Sequence, residues 1–127
     1  MYRLKNLILI FLLITLSSCG FAQSEFSIIG RWKLTEKHGN DGARDYVTQV
    51  QDGNIFIFEK NNVARDKSGN IGSYELDGKK LAITFKDGTR HYLVYHDNDP
   101  TKLSLNPVDE NYGNICDEGC ADIYRRI

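Results

Sequence analysis

Ile71-Gly72-Ser73-Tyr74-Glu75-Leu76-Asp77-Gly78-Lys79-Lys80-Leu81-Ala82-Ile83-Thr84-Phe85-Lys86-Asp87-Gly88-Thr89-Arg90-His91-Tyr92-Leu93-Val94-Tyr95 decides the fold. It reads as three strands, Ile71 to Leu76, Lys80 to Phe85 and Arg90 to Tyr95, joined by Asp77-Gly78 and Asp87-Gly88. Asp-Gly between alternating segments is the strongest short-range hairpin signal, because both central residues of a type I′ turn need positive φ. Two such turns in succession imply a meander. Leu81, Ile83 and Phe85 share one face of their strand and Lys80, Ala82 and Thr84 the other, whereas Arg90 to Tyr95 is apolar on both.

The pattern continues in both directions. Upstream, Ile28 to Glu36 alternates, with Ile28, Gly30, Trp32 and Leu34 on one face and Arg31, Lys33 and Thr35 on the other. Ile55 to Phe58 is a short strand, Asn61-Asn62 a turn, and Val63 to Arg65 a returning strand. Between His38 and Gly53, Tyr46, Val47 and Val50 suit either one helical turn or a short strand. Downstream, Leu103 and Leu105 alternate with polar neighbours, Pro107 opens a long loop, and Asp122 to Arg126 forms the last strand. No long helical periodicity appears after the N-terminal segment. About eight short strands predict an all-β fold, an antiparallel barrel or sandwich, with an up-and-down meander barrel as the expected form.

The N-terminus has a different character. Arg3 and Lys5 precede an apolar run from Leu7 to Leu16, then Ser17, Ser18 and Cys19. That run is about half the roughly 20 residues needed to span a bilayer, so it reads as an export signal over residues 1–18. Leu16-Ser17-Ser18-Cys19 resembles the lipobox of bacterial lipoproteins, which implies lipidation of Cys19, a membrane anchor and an address in the cell envelope. Gly20 supplies no inner-membrane retention aspartate, so the outer membrane is expected. Gly20-Phe21-Ala22 also suits an ordinary signal peptidase, which would release a soluble chain from Gln23 into the periplasm or medium. Residues 19–27 read as a tether and 28–127 as one domain.

Lys and Arg number 16 against 17 Asp and Glu, and loss of Arg3 and Lys5 with the leader takes the formal net charge from −1 to −3. No basic patch with interleaved aromatics is present, so nucleic acid is not an expected partner. If Cys19 carries lipid, Cys116 and Cys120 remain as a disulfide pair in an oxidising compartment. Fully extended, residues four apart lie about 13 Å from each other, so Asp117-Glu118-Gly119 must turn.

Catalytic and metal readings are weaker. Cys116 and Cys120 with Asp117, Glu118 or Asp122 lack a second ligand pair, and His38, His91 and His96 have no suitable spacing to them. Asp66 to Asn70 and Asp109 to Asn114 are oxygen-rich but do not match a calcium-binding EF-hand loop. His91, His96, Asp97 and Asp99 are the only crowded titratable group and belong to a strand end and its turn. No nucleophile elbow, phosphate loop or zinc-protease motif occurs. Neither a catalytic residue, a metal nor another cofactor is expected.

Gly30-Arg31-Trp32 resembles the Gly-x-Trp of the first lipocalin strand, and Gly72 to Ile83 resembles the central hairpin of short bacterial lipocalin-like lipoproteins. The likeness covers most of the chain after Cys19. It implies that Trp32 closes a barrel floor and that an arginine near the end of the last strand, Arg125 or Arg126, lies across it. Lipocalins of the usual length carry a further helix, which this sequence does not reach, so a shallower or partly filled cup is expected. The candidate ligand pocket is Phe56, Phe58, Tyr74, Leu81, Ile83 and Tyr92, against the alternative that these residues simply fill the core of a small eight-strand barrel. The resemblance implies a carrier of a small, largely apolar ligand. The competing expectation is an envelope protein-interaction module with a filled barrel, using its loops or the doubly apolar strand Ile55 to Phe58.

Overall fold

A computed structural model describes residues 26–116 and 119–127. The expected export signal, Cys19 and most of the tether lie outside the described residues, as do Asp117 and Glu118.

Among the described residues nine strands follow in order: β1 Gly30–Asn40, β2 Asp45–Gln49, β3 Ile55–Glu59, β4 Val63–Asp66, β5 Ile71–Asp77, β6 Lys80–Phe85, β7 Gly88–Tyr95, β8 Lys102–Val108 and β9 Cys120–Arg126. Every ladder is antiparallel. β1 and β3 to β9 make an eight-strand up-and-down barrel, closed where β9 pairs with β1. Closure removes the sheet edges that an open meander would leave unpaired.

β2 is the ninth strand and stands outside the ring. It pairs with Glu36 to Asn40 of β1, while β3 pairs with Gly30 to Lys33 on the same edge. β2 and β3 therefore form one return strand interrupted at residues 50–54. The interruption stays bonded to β1, with Val50 N–H donating to Thr35 O at 2.9 Å and Leu34 N–H to Asn54 O at 2.8 Å. Of the two readings open for His38 to Gly53, the strand is the one formed.

Several boundaries differ from expectation. The first strand runs from Gly30 to Asn40 rather than Ile28 to Glu36, because Gly30 has φ +142° and Ile28, though buried, precedes the ladder. β8 continues through Pro107, paired to Tyr92, and does not end there. Beyond Leu105 its ladder has β7 on one side only, where proline is tolerated. The two Asp-Gly hairpins form with other turns. In the first, Asp77 pairs with Lys80, leaving Gly78-Lys79 as the loop, with positive φ at Gly78 and not at Lys79. That is the pattern of a glycine-first II′ turn. In the second, Phe85 pairs with Gly88 across Lys86-Asp87, and Gly88 alone takes positive φ.

Side chains alternate as the pleat requires. Trp32, Leu34, Phe56, Phe58, Tyr74, Leu81, Ile83, Phe85, Tyr92, Val94, Leu103, Leu105 and Tyr124 meet in one core along the barrel axis. Among the described residues the large side chains of Trp32, Phe56, Phe58, Leu81, Ile83, Leu103 and Leu105 are wholly buried. Burying each contributes about 1.5 to 3 kcal/mol relative to exposure, which makes this core the main favourable term.

Candidate functional site

The barrel has two unlike ends. The closed end is built on Trp32, at 0% exposure, whose indole Nε1–H donates to Ile28 O at 2.8 Å. Of the two arginines the sequence left open, Arg126 lies across it, with its guanidinium carbon 4.2 Å from the ring centroid. Arg126 also donates from Nη2 to Ser27 O and from Nη1 to Ile29 O, both at 2.9 Å, and from Nε to Pro100 O at 3.0 Å. One side chain thus ties the start of β1 to the β7–β8 turn. Arg125 points the other way and pairs with Asp99 at 3.5 Å. A Cβ on Gly30 would overlap the Arg126 guanidinium, so the glycine of Gly-x-Trp makes room for the arginine.

The six residues read from the sequence as a ligand lining all lie inside the barrel. Phe58 meets Tyr74 edge-on at 4.9 Å and Phe56 at 5.8 Å, and Phe56 stacks on Tyr124 at 5.5 Å and Phe85 at 6.4 Å. Phe56, Phe58, Leu81 and Ile83 are at most 1% exposed, and their contacts are those of a close-packed core. Tyr74 donates its hydroxyl proton to Glu59 O at 3.0 Å, so its polar end is satisfied by backbone.

The other end is open and polar. A register shift between Leu34 and Glu36 places Lys37 opposite Asp122, so Lys37 shares a face with the Asp122 carboxylate instead of following Arg31 and Lys33 to the outer wall. Lys37 Nζ and Asp122 Oδ1 are 3.6 Å apart. Tyr46 of β2 lies against Gly39, where a Cβ would collide with the phenol ring. Lys37, Tyr46, Thr48, Pro107, Cys120 and Asp122 line a cleft of about 650 Å³ at this mouth. Cys116 and Cys120 are disulfide-bonded, with Cα atoms 5.9 Å apart, and pin the long loop to the start of β9. Gly119, which precedes Cys120, has φ +89° and donates its N–H to Cys116 O at 3.2 Å.

Burial sets the electrostatics here. The Asp122 carboxyl is pushed above its ordinary range by desolvation, which outweighs the opposing pull of Lys37. Tyr92 and Tyr124 are also raised by desolvation, against the opposing influence of Arg90 on both and a hydrogen bond from Asn54 to Tyr124. The base of the mouth therefore holds two neutral phenols and a carboxyl whose charged form is penalised by burial. Because the folded chain holds the Asp122 proton more tightly than the unfolded chain, stability falls as pH rises through that window. The expected result is that Asp122→Asn gains on the parent as pH rises from the ordinary carboxyl range to neutrality, and that the two converge in acid. Urea unfolding across that pH range measures it; a difference independent of pH would contradict the assignment.

The titratable residues grouped in sequence have separate partners. His91 meets Tyr112 edge-on, His96 stacks on Phe26, Asp97 pairs with Lys102, and Asp99 accepts from Thr101. Among the described residues, no three His, Cys, Asp or Glu side chains gather as metal ligands. Lys37, Tyr46 and Thr48 were not legible as site residues. Their positions depend on the β1 bulge and on β2, neither of which leaves a clear mark in the hydrophobic pattern.

No family model matches the sequence. None of the curated proteins matches it either. Among solved structures, the chain is similar to a lipocalin-like protein from Bacteroides uniformis ATCC 8492, at 20% identity and a TM-score of 0.52, over 78% of this chain and 97% of that one. The closed eight-strand barrel is thus a lipocalin-like fold. At that identity the likeness speaks for the architecture, and function has to be argued from the site.

Proposed function

We propose that this lipocalin-like barrel binds a small amphipathic molecule at its mouth, and that it does so in the cell envelope, held by lipid on Cys19. The observation that carries the ligand reading is the cleft of about 650 Å³, which falls within the usual 300 to 1,000 Å³ of small-molecule sites. Its wall combines the Tyr46 ring and Pro107 with Lys37 and Asp122, so a ligand with an apolar body and one polar end suits it better than a wholly apolar one. Packed rings below leave the binding shallow. The anchor reading rests on Leu16-Ser17-Ser18-Cys19.

Native mass spectrometry of protein purified gently from its own host tests the ligand reading. The expected result is a small adduct that is released on denaturation and is reduced at least tenfold in Thr48→Trp, which fills the mouth. A chain that flies at its bare mass, or an adduct indifferent to Thr48→Trp, would sink it.

A second reading, a protein-interaction module, is favoured by β2. All five of its residues are exposed, Tyr46 and Val47 at 50% and 55%, and among the described residues it pairs with β1 alone. Such an edge can accept a strand from a partner. A bare mass together with a co-purifying envelope protein would move the weight to this reading.

A further inference from the structure

We propose that the closed end of the barrel faces the membrane and that the mouth points away from it. This inference rests on the lipid-anchor reading of Cys19 and adds an orientation to it. Both ends carry exposed apolar residues: Ile29, Leu76 and Ile127 near the floor, and Tyr46, Val47, Ile71 and Ile115 towards the mouth. Surface composition therefore does not choose between them. The path of the chain does.

The first described residues are fastened to the floor. Phe26 stacks face to face on His96 at 4.2 Å and lies 6.0 Å from the Trp32 ring. Arg126 holds Ser27 O and Ile29 O, Ile28 is buried at 6% exposure, and its carbonyl accepts the Trp32 indole proton. The chain thus enters the domain at the Trp32 end along a path fixed by three side chains. Cys19 lies seven residues before Phe26. Seven residues reach no more than about 25 Å even when fully stretched. A seven-residue strand such as β5 is roughly 23 Å long, about 18 Å along the barrel axis at the usual tilt of roughly 40°, and the turns at its ends add to that. Presenting the mouth to the bilayer would require the tether to lie stretched along the whole wall. Presenting the floor requires nothing of it. In that pose the cleft beside the floor, lined by Phe26, Leu76, Lys79 and Tyr95, sits at headgroup depth, where aromatic rings and lysines are favoured.

The test uses the lipidated protein extracted from bacterial membranes and reconstituted into phosphatidylethanolamine and phosphatidylglycerol vesicles. A fluorophore is attached at Lys79→Cys beside the floor or at Lys86→Cys in the β6–β7 turn, and quenched by headgroup-nitroxide lipid. Quenching at least threefold stronger at position 79 is the expected result. Equal quenching, or stronger quenching at 86, in protein that floats with the vesicles overturns the orientation and leaves the anchor standing. Failure of the parent chain to float, or flotation unchanged in Cys19→Ala, removes the anchor reading and the orientation with it.

Discussion

Trp32→Ala lowers the unfolding free energy by about 4 kcal/mol, within the 3 to 5 kcal/mol seen when a buried aromatic is cut back to alanine. Trp32 has no exposed surface, and its indole proton is bonded to Ile28 O, so the substitution opens a cavity and frees a buried carbonyl together. Arg126 loses its ring partner in the same step. A domain of about 100 residues holds about 5 to 15 kcal/mol in all, so the variant keeps between roughly one fifth and three quarters of it, and its thermal midpoint falls by about 15 °C or more. Far-UV circular dichroism is the suitable probe, because Trp32 is the sole tryptophan and its fluorescence is lost with it. Arg126→Ala, which removes three charge-assisted bonds to backbone, costs about 2 kcal/mol, whereas Arg125→Ala, which breaks one exposed pair, stays within about 0.5 kcal/mol. Equal effects at the two arginines would contradict the floor geometry.

Gly53→Ala costs about 3 kcal/mol for a different reason. Gly53 is buried where the return strand is pinched against β1, and a Cβ there would overlap the Leu34 carbonyl oxygen. That neighbour is backbone, so it cannot swing aside as a side-chain tip can. Either β1 or the 50–54 segment must shift, which strains the bonds to Thr35 and Leu34 and lies at the upper end of the usual overpacking cost. Gly78→Ala is the control. A Cβ at Gly78 meets nothing within 4 Å, but φ is +59°, so only the backbone penalty of about 1 kcal/mol applies. Urea midpoints of the two variants separate steric overlap from dihedral strain. Amide exchange at Val50 and Leu34 should accelerate in Gly53→Ala and not in Gly78→Ala.

How much was legible differs from strand to strand. Ile71 to Tyr95 could be read because each feature is local: alternation places Tyr74, Leu81, Ile83, Phe85 and Tyr92 inward, and glycines mark the turns. The turn types were misjudged because Asp-Gly does not fix where a two-residue loop begins; cross-strand pairing moved the loop by one residue in each hairpin, in opposite directions. Pro107 looked like a break because proline removes a donor, a loss that matters less where β8 has only one ladder partner. β2 stayed ambiguous because all its residues are exposed, so no buried face imposes a period on them.

By itself the sequence determined an all-β meander, its inward faces, a tryptophan at the head of β1 and an arginine at the end of β9, because alternation, turn glycines and composition act over a few residues. The tertiary structure alone decided that Arg126 and not Arg125 caps Trp32, that a bulge after Leu34 turns Lys37 towards Asp122, and that Tyr46 and Thr48 stand over the mouth. Each of these is a matter of register between segments far apart in the chain. A shift of one residue reverses every side chain on a strand, and only barrel closure between β1 and β9 fixes which way they face.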